Sequence, residues 1–242
     1  MRHADVTPAL IAAETDRLVA TAASFRNDAV LAPSLCEGWS RGHVLAHVAR
    51  NADGLVRVCD VALTGVADTM YDDAAARDAD IERGARRSAH DHAVDLRDTA
   101  ARLAERLESV RPEHHQVRVE RTPGGFPIPV GLVPFMRLRE VVVHHVDLDA
   151  GYTFASAPAE VVSLLLRDAV NRLAHHEAAP PLRVRTTEGD EYDVAAGANW
   201  TGNAGDPTLV TGAAPDVLLW LARGRTDGVD VDGTVPTLPP GG

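Results

Sequence analysis

The 242-residue chain holds 35 acidic against 24 basic side chains, a formal net charge of −11, and 45% hydrophobic residues. That charge opposes a phosphate backbone, and no basic stripe interleaved with aromatics offsets it, which excludes the usual nucleic-acid binders. No apolar run nears the roughly 18 residues of a membrane span, the first residues carry no apolar leader core, and two cysteines make no disulfide framework, so a cytoplasmic protein is expected.

Thr7-Pro8 reads as an N-cap and first helical position, and Leu10, Ile11, Ala13, Leu18, Ala22 and Phe25 recur behind it as a helical stripe. Ser40, after the turn-like Glu37-Gly38-Trp39, caps a second helix through Val44, Leu45, Val48, Ala49, Ala52, Leu55 and Val56, ending near Thr64-Gly65. Cys59 lies in its apolar pattern and reads as a small buried hydrophobe. Asp68 to Arg87 is charged without a clean stripe, so a loop with a short helix is expected there. A third long helix runs from about Asp91 to Ser109 on Val94, Leu96, Ala100, Leu103 and Leu107, and Arg111-Pro112 closes it. The alternation from Val117 and the turn Pro123-Gly124-Gly125 predict a hairpin or extended excursion. The fourth helix spans roughly Val133 to Asp149, closed by Ala150-Gly151.

Past about residue 156 the pattern changes. Val161 to Ala174 reads as a helix, but Leu182-Arg-Val-Arg-Thr-Thr, Glu191-Tyr-Asp-Val and Pro207-Thr-Leu-Val-Thr alternate between turn signals and read as strands. A helix from Pro215 to Ala222 and a strand at Gly228-Val-Asp-Val complete a small unit. The expected fold class is therefore mainly α: a four-helix bundle over residues 1–155, followed by a small α/β (α+β) domain over residues 156–242.

Glu140-Val-Val-Val-His144 is the most informative segment. At a spacing of four, the carboxylate and imidazole leave one face of a helix and can share a cation. His47 sits amid Val44, Leu45, Val48 and Ala49, on the part of its helix expected to face the bundle interior, and offers a third donor. Two histidines and one carboxylate leave coordination positions open, the mark of a catalytic zinc site, and the same set also serves non-haem iron. A plain Glu–His hydrogen bond on a helix is the competing reading. His43 suits a surface or supporting role, His145 is turned about 100° from His144, and Asp147, three residues beyond His144, could orient its imidazole or merely cap or face solvent.

The stretch Leu35-Cys-Glu-Gly-Trp-Ser-Arg-Gly-His-Val-Leu-Ala-His47-Val-Ala-Arg-Asn51, with Met136-Arg-Leu-Arg-Glu140-Val-Val-Val-His144-His-Val-Asp-Leu148, resembles the mycothiol-dependent maleylpyruvate isomerases of actinobacteria, and more broadly the DinB-like and YfiT-like metal-binding bundles. The resemblance covers nearly the whole chain. It implies that His47, Glu140 and His144 bind Zn2+, that mycothiol is the thiol cosubstrate, and that an arginine of the C-terminal domain serves catalysis. Arg225 is its match in Leu221-Ala-Arg-Gly-Arg-Thr-Asp-Gly228; the spacing to Asp227-Gly228 is one residue tighter than in the family, so Arg223 is a substitute. The implied reaction is cis-trans isomerisation of maleylpyruvate to fumarylpyruvate by thiol addition, rotation and elimination. Two other readings stand beside it, a mycothiol S-transferase acting on another electrophile and a metal- or ligand-binding module without turnover.

Overall fold

Cap chemistry sets the helix starts of the N-terminal part. Thr7 accepts from the Leu10 amide and Pro8 occupies the first helical position of α1 (Pro8–Ser24), whose buried side includes Ile11, Leu18, Val19 and Ala22. A short α2 (Asn27–Val30) leads into α3 (Arg41–Thr64). Ser40 caps α3 by accepting from the His43 amide, and Gly65, at φ 71°, ends it in the left-handed conformation that favours glycine. The computed structural model describes residues 3–201 and 206–239. It divides into two compact units, Arg2–Tyr152 and Thr153–Gly242.

In the first unit, α4 (Ala74–Gly84) follows α3, then α5 (Ala89–Ser109), the hairpin β1 (Arg118–Glu120) and β2 (Pro127–Pro129), and α6 (Val133–Asp147). The α3 helix packs on α4, α5 and α6, while α1 packs on α5 and α6, so α1, α3, α5 and α6 close a bundle. Among the described residues, two apolar clusters stand out in its interior. One joins Leu18, Val44, Leu45, Val48, Leu96 and Val141, and the other joins Leu55, Val58, Cys59, Leu103, Ile128 and Val133. Each such buried side chain contributes about 1.5–3 kcal/mol relative to exposure, which dwarfs the caps in total.

The segment expected to be a loop with a short helix holds the three-turn α4, Ala74–Gly84, between non-helical ends. Asp73 caps it by accepting from the Ala76 amide, but of its side only Ile81 and Gly84 are buried. It is held by close backbone approach: a Cβ on Gly84 would stand 2.8 Å from the Ala46 Cβ of α3. Packing on α3 supplies what a sparse stripe does not.

The second unit contains α7 (Ala159–Ala174), β3 (Leu182–Thr186), β4 (Glu191–Val194), β5 (Thr208–Gly212), α8 (Ala214–Arg223) and β6 (Val229–Val231). The sheet order is β4-β3-β5-β6, with β3 and β5 parallel and both edge strands antiparallel to their neighbours. Along β3, Leu182, Val184 and Thr186 are buried, whereas Arg183 and Arg185 face out and pair with Asp193 and Glu191 across the hairpin. Both α7 and α8 pack with this sheet and with each other. The observed fold is thus mainly α, a helical bundle with a small α/β unit. Among the described residues, no helix is long and apolar enough to cross a membrane.

Candidate metal centre

The inward side of α3 carries His47 toward α6, where Glu140 and His144 lie one turn apart on one face. Glu140 Oε2 stands 2.9 Å from His47 Nε2 and 3.4 Å from His144 Nε2. The two imidazoles meet edge to face, 4.6 Å between centroids. Donor atoms of the three residues all lie within 4.8 Å of one another. The site is recessed without being sealed, since the Glu140 and His144 side chains keep 15% and 14% exposure.

His144 is held from behind. Its Nδ1 lies 2.7 Å from Oδ2 of Asp147, which is fully buried, so that ring nitrogen donates and Nε2 is aimed at Glu140. The Cys36 thiol donates to the same Asp147 oxygen at 3.3 Å. The loop carrying Cys36 is tied to the end of α6 by the Leu35 amide on the Asp147 carbonyl and by Arg41 Nε on the Leu148 carbonyl. Cys36, His144 and Asp147 form a second group of potential ligands, and their short contacts are those of a hydrogen-bonded support. On the other side, Arg77 Nη2 donates to His47 Nδ1 at 3.1 Å, which leaves the His47 proton on Nε2, facing Glu140. The Trp39 ring lies 5.5 Å from that of His47.

These contacts set the charges. Burial raises the Glu140 carboxyl, but hydrogen bonds from His144 and His47, together with their charges, outweigh it and hold it well below the ordinary value. Burial lowers His144, yet its bonds with Asp147, Cys36 and Glu140 hold it well above the ordinary imidazole value. For His47 burial wins, helped by the neighbouring His144 charge, and its pKa falls. The cluster is therefore an anionic carboxylate between a cationic and a neutral imidazole, with a proton on each Nε2 directed at Glu140. Ligand atoms at about 2.0–2.2 Å from one tetrahedral zinc lie about 3.4 Å apart, so the donor spacing fits a cation that replaces those two protons.

The other sequence candidates fall elsewhere. His43 caps α3 through Ser40 and pairs with Glu82 at 2.9 Å. His145 turns away, bonded to Thr21 Oγ1 and stacked on Tyr152. Cys59 is fully buried, and burial drives its thiol up to about 12. Arg225 lies in the second unit, just past Gly224, which ends α8 at φ 69°; its guanidinium is exposed and meets Asp227 at 3.2 Å. Arg223 is half-buried at the end of α8. Sequence reading missed Arg77, because α4 shows no stripe, and missed the Cys36 contact with Asp147, because 111 residues separate the partners.

Fold and cluster together define a class: helical-bundle proteins whose interior gathers two imidazoles and a carboxylate from facing helices. Residues 11–149 match the family model described as the mycothiol maleylpyruvate isomerase N-terminal domain, and the chain belongs to that family. Crystal structures of the mycothiol-dependent maleylpyruvate isomerase and of a histidine-to-alanine mutant of it each superpose with a TM-score of 0.87 at 26% identity, covering 99% of this chain and 99% of that chain. No curated protein matches the chain.

Proposed function

We propose that this protein is a zinc-dependent maleylpyruvate isomerase that uses mycothiol as cosubstrate, with His47, Glu140 and His144 as its metal ligands. The observation carrying this reading is the convergence of those three donors at ligand spacing in a recessed site. Family membership and the isomerase structures add the thiol and the substrate class. Zinc at that point would supply a thiolate at neutral pH, because a coordinated thiol is deprotonated whereas a free one near pKa 8.5 is not.

The chain's own residues then have separable tasks. Asp147 keeps the His144 ring turned so that Nε2 faces the shared point. Arg77 must release His47 Nδ1 when a cation takes Nε2, since the ring proton then moves to Nδ1 and a guanidinium cannot accept it. Arg225 suits a carboxylate of the substrate. Its surface pair with Asp227 is worth about 0–1 kcal/mol, so a bidentate ligand displaces it readily. In the reaction, the thiolate sulfur bonds to one carbon of the cis double bond, and the π pair moves into the adjoining carbonyl as an enolate. Rotation about the carbon–carbon bond that was double and is now single follows, the enolate pair re-forms the double bond in the trans geometry, and the C–S bond breaks to return the thiolate.

Metal analysis of the purified protein, with a mycothiol-dependent assay on maleylpyruvate, tests this reading. One zinc per chain and turnover are expected in the wild type, and loss of both in His47→Ala and Glu140→Ala. Stoichiometric zinc retained in either variant refutes the ligand assignment, and loaded protein without turnover refutes the isomerase activity.

A further inference from the structure

Arg137 is the least expected residue of the bundle interior. It is 1% exposed, yet the described residues give its guanidinium no carboxylate within ion-pair distance, and the Glu140 and Asp53 charges act on it only from further off. Nη1 donates to the Val48 carbonyl at 2.7 Å and to Asn51 Oδ1 at 3.2 Å. Nε and Nη2 are buried and unpartnered. Those two nitrogens carry the parallel N–H bonds with which a guanidinium grips a carboxylate side-on. An entire bidentate edge is therefore dehydrated and unused, a costly state unless an anion completes it.

Arg137 also lines a cavity of about 220 Å³ between α1 and α5. Ile11, Val19, Leu103 and Leu107 give it apolar walls, and Thr15 contributes a second buried, unpartnered group, its Oγ1. Two unsatisfied polar groups thus border one largely apolar cavity, whose lining also includes the exposed and opposite charges of Asp16 and Arg97, on a different side of the bundle from the α3–α6 face that gathers His47, Glu140 and His144. Although burial brings its pKa down to about 10, the guanidinium keeps its charge at neutral pH.

We propose that this cavity binds a small monocarboxylate with an apolar body, its carboxylate gripped by Arg137 Nε and Nη2 and supported by Thr15. The volume falls below the roughly 300–1,000 Å³ of drug-sized sites, so a short-chain or single-ring acid is the size class. Arg137 lies one turn before Glu140, and its other edge holds the carbonyl beside His47. Occupancy would therefore be felt by both helices that carry the candidate metal ligands.

Calorimetric titration with hexanoate, and with hexanol as an uncharged probe of equal length, tests the proposal in the wild type, Arg137→Met, Ala104→Trp and His47→Ala. Ala104 is exposed and lines the cavity, so a tryptophan there blocks it while leaving Arg137 in place. Saturable one-to-one hexanoate binding is expected, with hexanol at least about tenfold weaker, given the strength of charge-assisted hydrogen bonds. Arg137→Met and Ala104→Trp should each weaken hexanoate at least about tenfold, and His47→Ala should bind it like the wild type. Should Arg137→Met not fold, Ala104→Trp alone decides. Absence of saturable binding, binding that survives Ala104→Trp, or loss only in His47→Ala overturns the proposal. So does a crystal soaked in hexanoate that shows only water on the guanidinium.

Discussion

Asp147→Asn isolates the support of the candidate metal centre from its donors. Asp147 is fully buried, and its Oδ2 takes hydrogen bonds from His144 Nδ1 at 2.7 Å and from the Cys36 thiol at 3.3 Å. Asparagine keeps the volume and one acceptor but removes the charge, and its amide nitrogen brings donors to a place built to accept. With the amide oxygen in the Oδ2 position, ring and thiol keep an acceptor that has lost its charge; with the amide nitrogen there, both lose it. Loss of a carboxylate behind a ligand imidazole weakens metal binding about 10–100-fold, which is about 1.4–2.7 kcal/mol. Zinc affinity should fall by that factor in competition with a chromophoric chelator at pH 8. Cys36→Ser, which still donates to Asp147, should change it little. Circular dichroism separates this from unfolding. If Asp147→Asn is folded and binds zinc within twofold of the wild type, Asp147 does not hold the ligand ring and the proposed division of labour is wrong.

Arg225→Ala should keep full zinc content while raising KM for maleylpyruvate about 10–100-fold, the value of a charge-assisted hydrogen-bond pair; unchanged kinetics would pass the role to Arg223. A thiol reagent at pH 8 should label one site quickly, Cys36, because Cys59 is fully buried with its pKa raised to about 12; Cys36→Ser should abolish the fast phase, and a persisting one would show Cys59 to be reachable. Burial lowers the pKa of His92 in α5, against the Ala85 backbone hydrogen bond. A histidine with a lowered folded pKa contributes stability that is complete above its unfolded value near 6.5 and is lost as pH falls below it. Denaturant unfolding of His92→Gln should therefore lose less stability than the wild type between pH 7 and pH 5, and equal slopes would contradict this.

What was legible in the sequence is what local chemistry decides. Thr7-Pro8, Ser40 and Thr64-Gly65 mark the ends of α1 and α3 because capping and left-handed glycine are set within a few residues. Glu140 and His144 were readable as one face because helical spacing alone brings them together, and β1–β2 because a Pro-Gly-Gly turn announces it. The bounds of α4 were not, since only Ile81 and Gly84 are buried and its support is the α3 surface. Arg77 is invisible for the same reason, as its meaning lies in a contact with His47 that no periodicity encodes. Arg137, within Met136-Arg137-Leu138-Arg139, looks like an ordinary helix arginine; that it points inward while Arg139 stays at the rim of the cluster is settled by packing.

The placement of Arg137 also explains why these two apolar clusters of the bundle interior are separate. Along α3, Val44, Leu45, Val48 and Ala49 belong to one cluster and Ala52, Leu55 and Val58 to the other, with Asn51 between them. Along α6 and its C-cap Leu148, Val133 belongs to the second cluster and Val141 and Leu148 to the first, with Arg137 between them. The Arg137–Asn51 bond therefore crosses the seam at the level where the two helices meet. A buried charge with no ion-pair partner, offset only by the more distant Glu140 and Asp53 charges, destabilises a fold, and an apolar side chain of similar volume in its place is often neutral or stabilising. The two clusters carry that cost. Since packing does not require the charge, its use must lie in what the free edge binds or in how firmly the seam holds His47 and Glu140 in register.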